Sequence, residues 1–175
     1  MGKILYAEQD GIHVLKFVGD VRVTLGPTIG GFLTQLGECE DFKSIVIDLT
    51  ETEGIDSTSL GLLAKISIKT KDAFKSVPTI ISPNEDITRI LVSMGFNQVF
   101  VIVKELVTEC GQLDEISAEI VSESSLREQV IEAHKVLMSL NEHNREEFRD
   151  LVEALESELE SERHGGAALP RNRVA

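Results

Sequence analysis

Residues 44–66, SIVIDLTETEGIDSTSLGLLAKI, restrict the fold more than any other stretch of the chain. Ile45-Val46-Ile47 is a short apolar run of the kind that forms a buried strand, and Asp48-Leu49 ends it. An acidic crossing, Thr50 to Gly54, follows. Ile55-Asp56-Ser57-Thr58-Ser59 then leads into apolar residues at Leu60, Leu62, Leu63 and Ile66, a helical spacing. Strand, crossing and helix in that order place the hydroxyl cluster at a helix N-terminus. There, side-chain oxygens of Asp, Ser or Thr accept backbone N–H groups that have no partner within the helix. On this reading Asp56 or Ser57 is a helix cap.

Similar logic organises the first hundred residues. Ile4–Gln9 and Ile12–Val18 alternate apolar and polar around Asp10-Gly11, which predicts a hairpin. Val21-Arg22-Val23 is a short extended piece. Thr24 to Pro27 opens a helix with Ile29, Phe32, Leu33 and Leu36 on one face and Gly37 at its exit. The central helix runs from about Ser57 to Lys71, with Lys65, Lys69 and Lys71 near its C-terminal end. Val77–Ile81 predicts a strand in which Pro78 stands where no ladder donor is required. Pro83-Asn84-Glu85 opens a helix carrying Ile87, Ile90, Leu91 and Met94, closed by Gly95, and Val99–Val103 is the last strand. The order β-β-α-β-α-β-α-β predicts an α/β fold with a mixed, mostly parallel sheet.

The central pattern resembles the signature of STAS-domain proteins, the anti-sigma factor antagonists (anti-anti-sigma factors) of bacterial partner-switching systems. That signature is a hydrophobic strand ending in Asp-Leu-Ser/Thr, a few residues, then Ile-Asp-Ser-Ser/Thr-Gly-Leu-Gly. This chain has Asp48-Leu49-Thr50, Ile55-Asp56-Ser57-Thr58 and Leu60-Gly61, with Ser59 where the family usually has Gly. The resemblance spans roughly residues 1–103 and implies the STAS fold. It also implies that Ser57, directly after Asp56, is the serine phosphorylated by a partner kinase. Asp56, Thr58, Ser59, Leu60 and Gly61 then form the surrounding phosphosite motif and partner-binding surface. The implied partners are an anti-sigma factor, a serine kinase of the anti-sigma type and a PP2C-type phosphatase, in a cytoplasmic signal-transduction pathway regulating transcription. A non-switching STAS scaffold or transporter-accessory domain is the alternative, although such relatives often lack the serine.

After residue 105 the pattern changes. The sequence reads as a STAS domain over 1–105, a linker over 106–121 with a helical turn at Leu113–Ile116, a helical extension over 122–162 and a disordered tail over 163–175. Leu126, Val130, Ala133, Leu137 and Leu140 recur at heptad spacing. Asn141 to Glu147 lacks any apolar residue, and Phe148, Leu151, Val152, Leu155 and Leu159 form a second stripe. Two helices, 123–140 and 145–162, are expected, the second capped by Asn144 with Glu147 three residues on. Ala133-His134-Lys135-Val136-Leu137-Met138 and Asn144-Arg145-Glu146-Glu147-Phe148 are similar to segments in the C-terminal extensions of some proteobacterial STAS antagonists. The stripes are too apolar to stay in water, and helices this short are marginal alone. They pack on each other, on the domain, on a second copy as a homodimer, or on a partner. A hairpin folded back beside the sheet, adding a second partner-contacting surface, is the expectation.

Charge and chemistry narrow the function classes. Residues 1–104 carry 10 Lys/Arg against 13 Asp/Glu, a net of −3, and residues 105–175 carry 7 against 17, a net of −10. So acidic a second half argues against nucleic-acid binding, which requires cations to displace phosphate counterions. No apolar run reaches membrane-spanning length and the start has no signal-peptide core, so no membrane partner is expected. Cys39 and Cys110 lack CxxC spacing and read as reduced thiols. His13 is expected to face solvent, and His134 and His143 to lie on helix surfaces, so neither metal nor cofactor is implied. There is no phosphate-loop GxxxxGK[ST] and no nucleophile elbow, and near Ser57 the sequence offers Asp56 but no His. The chain reads as a non-enzymatic phosphoprotein.

Overall fold

The computed structural model describes residues 2–105 and 112–165. β1 (Lys3–Gln9) and β2 (Ile12–Val21) form the expected hairpin. Asp10 and Gly11 both take positive φ, 52° and 84°, the backbone that lets a two-residue turn match strand twist. A 3-10 turn (Val23–Leu25) leads to α1 (Gly26–Leu36). Then come β3 (Ser44–Asp48), β4 (Thr52–Ile55), α2 (Ser57–Phe74), β5 (Thr79–Ile81), α3 (Glu85–Ser93), a second 3-10 turn (Phe96–Gln98) and β6 (Val101–Val103). The sheet order is β6-β5-β3-β2-β1-β7, where β7 is Asp114–Glu115, and β4 pairs with β2. β2, β3, β5 and β6 run parallel, while β1 is antiparallel to β2 and β7.

Two elements differ from the sequence reading. The acidic crossing contains a strand, β4, parallel to β2 from Gly19 to Val21. The segment read as a helical turn at Leu113–Ile116 is instead β7, two residues on the open edge of β1. Both strands are so short that their pairing partners, not a period in the sequence, define them.

Alternation along the strands splits the sheet into two unequal faces. Leu15, Phe17, Ile45, Ile47 and Ile80 join the helices in one large core, whereas Val14, Val46 and Ile81 make a small cluster with Val103 and Leu113 on the other side. The large core also contains Ala133, Leu137 and Phe148, which come from the C-terminal helices. The extension is therefore part of the folded body.

The extension consists of α4 (Glu123–Leu140) and α5 (Glu142–Gly165). Only Asn141 separates them, so the apolar-free gap is mostly helix. Asn141, rather than Asn144, caps α5: its Oδ1 accepts the Asn144 N–H at 2.8 Å. Asn144 is fully buried and its amide donates to the carbonyls of Met94 (2.8 Å) and Leu137 (2.9 Å), tying the end of α3 to the hairpin. Three ion pairs, Arg127–Glu162, Glu128–Arg163 (2.6 Å) and Lys135–Glu156 (2.6 Å), line the antiparallel helices. Of the stretch expected to be disordered, Arg163 to Gly165 is the end of α5, and the remainder lies outside the described residues.

The hairpin lies along α2 instead of beside the sheet. α2 is buried without interruption from Thr58 to Ala64. A helix covered on one side exposes part of every turn, so seven consecutive buried residues require cover on two sides. The sheet supplies one and α4 the other. Gly61 marks the closest approach: a Cβ there would stand 2.2 Å from the Ala133 carbonyl oxygen.

Candidate functional site at the start of α2

Asp56 is the N-cap of α2, in extended conformation. Its Oδ1 accepts the Ser59 N–H at 2.8 Å and its Oδ2 accepts the Val23 N–H at 2.7 Å. One carboxylate thus caps the helix and pins the turn after β2, while the Asp56 N–H donates to the Val21 carbonyl at 3.1 Å. These bonds fix the backbone on which the three hydroxyls follow.

Helical rotation then separates the hydroxyls. Thr58 is 6% exposed and Ser59 fully buried, with the Ser59 hydroxyl 3.5 Å from the Val21 carbonyl. Ser57 is half-buried, and its hydroxyl is turned toward α4. Leu60 and Gly61 are buried, Leu60 in the core and Gly61 beneath α4. Of the residues the sequence grouped here, Asp56 builds the turn, Thr58, Ser59 and Leu60 are buried, and only Ser57 keeps partial exposure. On the adjoining β3–β4 crossing, Glu51 pairs with Lys16, whose hydrogen bond holds the Glu51 carboxyl below its ordinary range. At the end of β2 the Arg22 guanidinium donates to Asp20 at 2.7 Å, a bond that pushes Arg22 up.

The structure adds a residue that the sequence reading placed on a helix surface. His134 of α4 is 2% exposed, and its Nε2 lies 2.8 Å from Ser57 Oγ. Its Nδ1 is 2.7 Å from the Val130 carbonyl. A carbonyl only accepts, so Nδ1 carries a proton. In the neutral ring Nε2 is then the acceptor, and Ser57 donates to it. The ring also packs edge-on to Phe148 at 5.2 Å between centroids. No local pattern announces this contact, because the partners are 77 residues apart. The signal present in the sequence is the uncharged run Leu60-Gly61-Leu62-Leu63-Ala64, apolar around the whole helix and therefore calling for a second cover.

A serine donating to a histidine is the first half of a nucleophilic dyad. The remaining features differ from such a site. Asp56 spends both oxygens on backbone N–H groups instead of orienting the ring. The main chain of α4 presses on Gly61 one turn along.

His13, read as solvent-facing, is also buried, at 4% exposure. Its Nδ1 lies 2.7 Å from the Tyr6 hydroxyl, and its ring stacks on Phe42. Burial lowers its pKa, partly offset by Glu8. His143 is exposed, as expected. Cys39 is a free thiol, and Cys110 lies outside the described residues. No described helix is long and apolar enough to cross a membrane.

The family model for the STAS domain matches residues 3–110. The chain belongs to the STAS-domain family. Among solved structures, its fold is similar to that of an anti-sigma factor antagonist from Mycobacterium paratuberculosis, with 20% identity and a TM-score of 0.50 over 61% of this chain and 88% of that one. The anti-sigma factor antagonist SpoIIAA in its unphosphorylated form is 12% identical, with a TM-score of 0.49 over 58% and 87% of the two chains. The Bacillus cell fate determinant SpoIIAA in its phosphorylated form is 13% identical, with a TM-score of 0.47 over 58% and 90%. No curated protein matches the sequence. α4 and α5 lie beyond the matched family span.

Proposed function

We propose that this protein is an anti-sigma factor antagonist in a partner-switching system and that Ser57 is its phosphorylated residue. The unmodified chain binds an anti-sigma factor or the serine kinase. Phosphorylation of Ser57 ends that binding, and a PP2C-type phosphatase restores it. The observation that carries the reading is the sorting of hydroxyls at the start of α2, where Thr58 and Ser59 are buried and Ser57 alone of three consecutive candidates keeps partial exposure, its hydroxyl turned toward α4. Membership of the STAS family and the Asp56-Ser57 sequence support it.

The chemistry asks little of this chain. The kinase transfers a phosphoryl group from its nucleotide: the Ser57 Oγ–P bond forms, the bond to the nucleoside diphosphate breaks, and the hydroxyl proton leaves to a base. The product carries about −1.5 to −2 charges and three acceptor oxygens. The dipole and free N–H groups of a helix N-terminus tolerate such a charge, so the STAS domain itself stays folded. The cost falls on a partner surface docked against the start of α2, and a loss of ~3 kcal/mol there weakens binding about a hundredfold. Capture of partners from cells by Ser57→Ala and Ser57→Asp chains tests the proposal. Retention by the alanine variant and loss by the aspartate variant is expected. Equal capture by both contradicts it and favours a non-switching scaffold.

A further inference from the structure

The contact between Ser57 and His134 places the proposed phosphosite beneath the chain's own C-terminal hairpin. We propose that the α4–α5 hairpin is a lid that reads the modification state of Ser57: it closes on the unmodified serine and is displaced by a phosphate. This inference rests on the assignment of Ser57 as the phosphorylated residue.

The closed state is held by contacts that a phosphate cannot share. Only a hydrogen lies between Ser57 Oγ and His134 Nε2, 2.8 Å apart. An esterified Oγ has no proton to donate, and a phosphorus with three further oxygens must stand where that hydrogen was. The hairpin has little freedom to make room. One turn along, Gly61 already lies against the Ala133 main chain, and Lys65 binds Glu132 at 2.5 Å. His134 cannot swing aside within the closed packing, because its Nδ1 is bonded to the Val130 carbonyl and its ring is wedged against Phe148.

Displacement has two consequences. A kinase meets Ser57 only when the hairpin is lifted, so the lid sets how often the site is available. Once the phosphate is in place, Ala133, Leu137 and Phe148, buried in the closed state, become accessible. The modification thus alters two surfaces, the start of α2 and the inner face of the hairpin.

The test uses the full-length chain with phosphoserine incorporated at position 57, compared with the unmodified chain by hydrogen–deuterium exchange. At least tenfold faster exchange across 123–165 is expected, with β3 and β5 protected as before. A Ser57→Ala chain, which loses the hydrogen bond but gains neither bulk nor charge, is expected to show less than a tenfold change. Unchanged or slower exchange in 123–165 of the phosphoserine chain overturns the lid, as does a loss of protection spread equally over sheet and hairpin. No partner enters this measurement, so it stands apart from the capture experiment. A hairpin that opens while neither Ser57 variant discriminates partners retains the lid and removes the antagonist reading; discrimination with a hairpin that stays closed does the reverse.

Discussion

Gly61→Ala separates the hairpin from the STAS domain with the smallest possible change. An ideal Cβ on Gly61 stands 2.2 Å from the Ala133 carbonyl oxygen, 2.6 Å from its carbon and 2.8 Å from its Cβ. Carbon atoms rest at about 3.5–4.0 Å, so α4 must retreat by about 1 Å. These are mostly main-chain atoms of a helix, so no side-chain rotation relieves the clash. Overpacking of this kind costs about 1–3 kcal/mol. Against it, alanine favours a helix interior over glycine by about 0.5–1 kcal/mol. The clash wins, leaving hairpin docking weaker by about 1–2 kcal/mol, a factor of about 5–30 in the open population. Amide exchange in 123–165 should accelerate by that factor, while β3 and β5 keep their protection. Gly31→Ala in α1 is the control: its Cβ meets the Glu119 carboxylate at 2.4 Å, the end of a side chain that can swing away. That variant should keep or slightly gain stability. If Gly61→Ala raises the melting temperature and leaves hairpin exchange unchanged, α4 does not lie on α2 as described.

Other outcomes follow from individual contacts. Asp56→Ala removes both the helix cap and the bond to Val23 and should lower stability by about 2 kcal/mol in urea unfolding, while Asp56→Asn, with one oxygen left, should fall between. Asn144→Ala should cost about 1–3 kcal/mol, and Asn144→Asp more at neutral pH, because a carboxylate offers only acceptors to the Met94 and Leu137 carbonyls. Burial lowers the His13 pKa, so as pH falls below roughly 6.5 the unfolded chain takes up that proton before the folded one and stability drops. Thermal melts at pH 7.5 and 5.5 should therefore show a larger acid loss for the natural chain than for His13→Phe; equal losses would exclude His13 as the source.

The parts of this fold legible in the sequence were those written in local patterns. Asp10-Gly11 announces its hairpin, Ile45-Val46-Ile47 its buried strand, and Asp56 its cap, because each structure depends on neighbours a few residues away. The helix start that carries Ser57 was legible for the same reason. β4 and β7 were not: with four and two residues, they exist only because β2 and β1 offer free edges. Nor was the burial of His13 and His134. A histidine reads as polar in a pattern, yet each here finds one partner across the fold, Tyr6 or Ser57, that makes burial affordable. Asn144 was misread likewise, since an Asn before acidic helical residues looks like a cap, whereas its amide serves two distant carbonyls. The apolar stripe of α4 predicted that something would be covered, but a stripe does not name its partner.

The central claim is that Ser57 carries the regulatory phosphate. The most direct measurement is site-resolved mass spectrometry of the chain recovered from its own cells, using fragmentation that resolves neighbouring hydroxyls in the peptide spanning 44–65. The account predicts phosphate on Ser57, removed by a PP2C-type phosphatase and absent from the Ser57→Ala chain. Phosphate on Thr58 or Ser59 with Ser57 unmodified would contradict it, since both of those hydroxyls are turned into the protein.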